Sequence, residues 1–219
     1  GHAAVIHALI AGGASVSPAS LDGFTPLHDA SHSGHAGIVA VLLAARAPPD
    51  ASAAGRATPL HSASQSGHVD VVRWLLATGG SLDAASDGGF TALHDASHGG
   101  HLEIVQLLLR AGAFIGARSA DGATALQLAA QAGHIDVVSE LVIARADVET
   151  ASIRLAARRG HVGVVRTLRN SRKLAGRAGH LTARSTVHGA GGFMTARSMT
   201  SVQALTARSM NGLHRIQDR

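Results

Sequence analysis

The sequence predicts an all-α solenoid of stacked helix-turn-helix units with short projecting turns, and three observations carry that reading. Thr25-Pro26-Leu27-His28 returns as Thr58-Pro59-Leu60-His61, Thr91-Ala92-Leu93-His94 and Thr124-Ala125-Leu126-Gln127, each step being 33 residues. A Gly-His pair keeps the same period at Gly1-His2, Gly34-His35, Gly67-His68, Gly100-His101 and Gly133-His134. The apolar content is 46%, almost all Ala, Leu and Val with only 2% aromatic residues, which suits thin, closely stacked helices better than one bulky core. Two markers locked to one period define a repeat array.

Taken in order, residues 1–19 read as the second half of a unit. Val5, Ile6, Leu9 and Ile10 fall at helical spacing over 2–10, and Gly12-Gly13 stops the helix. Its first helix is missing, so its apolar face is expected to be partly uncovered. A chain that opens inside a repeat, without an initiator Met, is expected to be a fragment of something longer. The first full repeat covers about 20–52. Asp22-Gly23 marks a turn, Thr25 suits an N-cap, and Pro26 loses no needed donor at the first helical position. Leu27, Ala30 and Ser31 face inward until Gly34 closes the helix in a left-handed conformation. His35 opens a second helix with Ile38, Val39, Val41, Leu42 and Leu43 on its apolar face.

Repeats two (about 53–85), three (about 86–118) and four (about 119–151) copy the plan, with Ala replacing Pro in the last two and Gln127 replacing the histidine in the fourth. Trp74 shares its register with Leu107 and is expected in the core. A shortened unit at 152–169 has Gly160-His161 only 27 residues after Gly133-His134. Six residues are gone, which removes the projecting turn and leaves Ser152 as the replacement cap. Arg154, Arg158, Arg159, Arg166 and Arg169 give that unit the solvated face of a capping repeat. From residue 170 the period ends. Thr-Ala-Arg-Ser recurs at 182–185, 195–198 and 206–209, and apolar residues are too sparse for a core, so 170–219 is expected to be a disordered basic tail.

Charge follows the same division. Residues 1–169 hold 11 Arg against 13 Asp or Glu, a net −2, whereas 170–219 hold 8 Arg or Lys against one Asp, a net +7. Phe193 is the tail's lone aromatic, which disfavours specific single-strand binding there, although its arginines suit phosphate contacts or phosphorylation. The chain has no cysteine, which excludes disulfides, thiol catalysis and thiolate metal sites and fits an intracellular, cytoplasmic or nuclear setting. No apolar run approaches the ~20 residues of a membrane span, and no signal peptide is visible.

Leu108-Leu109-Arg110-Ala111-Gly112-Ala113, the Gly-x-Thr-Pro-Leu-His-x-Ala openings and the Gly-His pairs together resemble the ankyrin repeat over residues 1–169. The resemblance implies helix pairs with hairpin-like turns on one side, and a non-enzymatic scaffold that binds a protein partner on the concave face of turns and first helices. It leaves the partner's identity open, and the molecule is expected to be a monomer or part of a longer chain. Register places the free positions just before each threonine and outward on each first helix. The candidate partner-binding residues are Phe24, Asp29, His32, Ser62, Gln65, Phe90, Asp95, His98, Leu128 and Gln131. Phe24 and Phe90, on turns, are either interface anchors or rings folded back on their own hairpins. Asp29 and Asp95 would select a basic segment. Two alternatives are association with nucleic acid or an acidic surface through the tail, and a regulatory arm of a larger enzyme or channel.

Fifteen histidines raise the question of metal. The resemblance assigns His28, His61 and His94, and those after each glycine, to the scaffold. His32 and His98 are extras two repeats, or roughly 16–20 Å, apart at the usual spacing of packed helices, so no shared zinc site is expected. No nucleophile elbow, phosphate loop or dinucleotide fingerprint appears, and no cofactor is expected.

Overall fold

The computed structural model describes residues 2–186, with side chains for 3–175. Among the described residues there are helices and no strands. The helices are α1 (His2–Ala11), α2 (Pro26–His32), α3 (Ala36–Ala44), α4 (Pro59–Ser66), α5 (Val69–Ala77), α6 (Ala92–Gly99), α7 (Leu102–Ala111), α8 (Ala125–Ala132), α9 (Ile135–Ile143), α10 (Thr150–Arg158) and α11 (Val162–Thr186). The first ten are only 7–10 residues long. Isolated helices of that length are marginal in water, so their stability comes from stacking. The fold is the helical repeat solenoid that the 33-residue period predicts.

Two rows make the stack. The first helices α2, α4, α6, α8 and α10 lie side by side in chain order, and the second helices α1, α3, α5, α7 and α9 form a parallel row. Each unit also packs its own pair, as α2 with α3 and α8 with α9. The core between the rows is built from register positions. Leu42, Leu75, Leu108, Leu141 and Leu168 occupy one such position and are at most 2% exposed. The same position in α1 is Leu9, which is 58% exposed, as is Val5 one turn before it. These two positions face a unit's own first helix, which residues 1–19 do not supply. Ile6 and Ile10 turn the other way and pack against the core.

Three details depart from the sequence expectation. Trp74 is 46% exposed, because the buried stripe of α5 is Val71, Val72 and Leu75 and the indole lies on its shoulder. Ser152 does not cap the shortened unit. It is wholly buried within α10, whose N-cap is Glu149. Finally, α11 does not stop at residue 169 but continues to Thr186, into the basic segment. Arg, Lys, Leu and Ala, all strong helix formers, supply most of 172–178. Gly1–Leu174 form one compact unit, and α11 runs on past its end. Residues 187–219, with two of the three Thr-Ala-Arg-Ser copies, lie outside the described residues. Among the described residues, no helix is long and apolar enough to cross a membrane.

Candidate functional site

The surface formed by turns and first helices is held by two histidine ladders. In the first, His28 Nδ1 accepts the Thr25 backbone N–H at 3.1 Å and lies 2.9 Å from Thr25 Oγ1. An accepting Nδ1 places the proton on Nε2, which donates to the Ala57 carbonyl of the next repeat at 3.2 Å. His61 repeats this with Thr58 and the Phe90 carbonyl, and His94 with Thr91 and the Ala123 carbonyl. One ring therefore caps its own helix and ties it forward to the next turn. Burial holds all three imidazoles below the ordinary histidine value, with the carbonyl bonds opposing it. Both ring nitrogens are occupied, which leaves these side chains no lone pair for a metal.

The second ladder runs backward. Nε2 of His68, His101, His134 and His161 donates to the carbonyl of His32, Gln65, His98 and Gln131 in the preceding repeat. Each ring lies close against the glycine that closes that repeat's first helix. A Cβ on Gly34 would stand 2.4 Å from the His68 ring, and one on Gly100 2.5 Å from His134. Those glycines also have φ of +74° and +77°. Two independent requirements, left-handed backbone and close approach, thus fall on one residue.

The shortened unit lacks the turn that would follow repeat four, and repeat four adapts. Gln127 Oε1 accepts the Thr124 N–H, and Gln127 Nε2 donates to Glu149 Oε2 at 3.0 Å. The carboxylate of Glu149, which also pairs with Arg118, stands in for the missing turn carbonyl.

On this scaffold the candidate residues form three rows. In the turn row, Phe24 is 39% exposed and Phe90 half-buried. Each ring packs edge-on against the histidine of its own repeat, with centroids 5.5 Å apart for Phe24 and His28 and 5.8 Å for Phe90 and His94. Each ring therefore folds toward its own hairpin while keeping a solvent face. In the outermost row His32, Gln65 and His98 are exposed and Gln131 half-buried. Their carbonyls are taken by the backward ladder, so only their side chains remain free to vary. Ser66 Oγ lies 3.1 Å from His32 Nδ1.

The row between them is uneven. Asp29 is exposed, Ser62 is buried at 9%, and Asp95 and Leu128 are half-buried. Ser62 thus offers little of the outward surface expected of it, because flanking helices cover it on both sides. Asp95 sits between the Ser62 and Leu128 positions, and burial pushes its carboxyl up to about 7. Neither ion pair found among the described residues involves it. Sequence reasoning missed a different group, a cleft lined by Thr150, Ile153, Arg169, Arg172 and Lys173. The signal was present, since residues 150–217 contain no Asp or Glu.

Comparison with known families agrees with this geometry. A family model described as ankyrin repeats in three copies matches residues 49–119 and 81–151. A single-copy model, ankyrin repeat, matches 22–54. The matches together run over residues 22–151, more than half of the 219-residue chain. Among curated proteins, none matches the chain.

Proposed function

The chain belongs to the ankyrin-repeat family, and from that premise we propose that its turns and first helices form a concave face that binds a protein partner through a basic segment. Ankyrin repeats are in general protein-interaction modules, and no enzymatic role is proposed here. The observation that carries the reading is Asp95. A half-buried carboxylate with no ion pair among the described residues is held at a cost to the fold. A lysine or arginine from outside would return it to the ionised form and gain a poorly solvated ion pair. Exposed Asp29, two repeats away, offers a second acidic contact on the same row. Phe24 and Phe90 supply apolar area in the same two repeats as the carboxylates. Their packing on His28 and His94 fixes the rings before any partner arrives, which limits the ordering entropy of binding.

Affinity capture on the full chain, with mass identification of what is retained, tests this. Capture is expected to weaken at least tenfold in Phe24→Ala with Phe90→Ala and again in Asp95→Asn, with helical circular dichroism unchanged. It should also weaken as pH falls through about 7, where Asp95 loses its charge. Capture that survives all three changes would show that this face is not the interface.

A further inference from the structure

The C-terminal unit carries a feature that the concave face leaves unused. Residues of α10 and α11 line a cleft of about 450 Å³ formed by Thr150, Ile153, Arg169, Arg172 and Lys173. That volume lies in the range of small-ligand sites. Arg172 Nη1 donates to Thr150 Oγ1 at 2.8 Å, which ties the two helices together and orients that guanidinium. Its other N–H groups have no partner among the described residues and can meet a ligand. Arg169 and Lys173 are exposed, four residues apart and so on one side of α11, while Ile153 is half-buried and supplies an apolar floor.

Among the described residues, no ion pair answers the charge of this cleft. Residues 150–217 contain no Asp or Glu, and Arg154, Arg158 and Arg166 add further positive charge to the same unit. Glu149, the nearest carboxylate in sequence, is already engaged by Arg118 and Gln127. Three like charges around one cleft give an anion bound among them several cationic contacts at once. The choice of anion follows from the floor. A nucleic-acid backbone would leave Ile153 unused, and residues 150–175 contain no Phe, Tyr or Trp on which a base could stack, while the one histidine there, His161, is bonded back to Gln131. A doubly charged phosphate with an apolar side chain beside it uses both parts.

We propose that this cleft binds a phosphoserine- or phosphothreonine-bearing peptide segment, with Arg169, Arg172 and Lys173 holding the phosphate and Ile153 receiving a neighbouring apolar side chain. The site is separate from the concave face and stands or falls independently of it. The test is fluorescence anisotropy on the full chain with a labelled Gly-Leu-phosphoserine-Leu-Gly peptide, its unphosphorylated twin and a single-stranded oligothymidylate. The phosphorylated peptide should bind at least ~10-fold more tightly than its twin, the gain from a dianion meeting several cations. Arg169→Ala with Lys173→Ala should remove that preference without changing helical circular dichroism, and Arg172→Gln should reduce it. Equal binding of the two peptides overturns the proposal, as does a preference that persists in both variants. Oligothymidylate binding that exceeds the phosphopeptide's and is lost in the double variant would assign the cleft to nucleic acid instead.

Discussion

Repeats one and three carry almost the same decapeptide, Gly-Phe-Thr-x-Leu-His-Asp-Ala-Ser-His at 23–32 and 89–98, with Pro26 against Ala92 as the one difference. Their local structure is the same as well. Thr25 and Thr91 start their helices with backbone angles within a few degrees of each other, and each pairs with the histidine three residues on. What differs is the company. Repeat three has a complete first helix on either side, α4 and α8, whereas repeat one has only α4. Asp29 is accordingly exposed and Asp95 half-buried, with its carboxyl pushed up to about 7. An identical string acquires different chemistry from its position in the stack, which is how a repeat protein can specialise without departing from its consensus.

The comparison can be broken most severely at the glycines. Gly100→Ala should cost about 3 kcal/mol or more, since it meets the His134 ring and sits at φ +77°. Gly160→Ala, with φ +78° and nothing within 4 Å, should cost only about 1 kcal/mol. Urea denaturation of the two variants reads the difference, and equal costs would mean that the neighbouring ring yields freely.

A smaller effect separates the two aspartates. Asp95→Asn should stabilise the fold by about 1–3 kcal/mol near pH 8, while Asp29→Asn should change it by less than about 0.5 kcal/mol. The signs with pH are opposite for the two kinds of group. Asp95 has a raised value, so its penalty is full above about 7 and fades as pH falls toward the unfolded value of 3.8. His28, His61 and His94 have lowered values, so their contribution is full above 6.5 and is lost as pH falls below it. The Asp95→Asn protein, deprived of the relief, should lose stability more steeply on acidification than the wild type. A parallel pair of curves would show that Asp95 is not strained.

The smallest difference lies at the ends of the second helices. Repeat one ends α3 at Arg46 with φ +65°, and repeat three ends α7 at Gly112 with φ +96°. Arg46→Gly should raise stability by under about 1 kcal/mol, and Gly112→Arg should lower it by a similar amount. Thermal melts of both variants check the sign, and a lower melting temperature for Arg46→Gly would contradict it.

What the sequence made legible follows from which forces are local. Thr25, Pro26 and the left-handed Gly34 act within a few residues of themselves, so their spacing located helix starts and helix ends, while the scaffold role of the histidines came from the family resemblance. Trp74 and Asp95 were not legible in the same way. Helical periodicity places Trp74 beside the apolar stripe of α5, but whether another helix covers it is a question about the stack. The burial of Asp95 depends on residues 33 positions before and after it. The continuation of α11 to Thr186 was missed for another reason, because a scarcity of apolar residues argues against a core but not against a helix. The cleft at Arg169, Arg172 and Lys173 needed two helices to be brought together.

The two histidine ladders cross each junction among repeats one to four in opposite directions, one reaching ahead to a turn and one reaching back to a helix end. A duplicated segment of 33 residues, wherever its cut points fall, brings one copy of each donor and one of each acceptor. An array of this kind can therefore lengthen by copying without any new residue being invented to join the parts. A change of any other length breaks that economy. The six-residue loss after repeat four shows the result: at that junction a glutamine and a glutamate had to replace a histidine and a carbonyl.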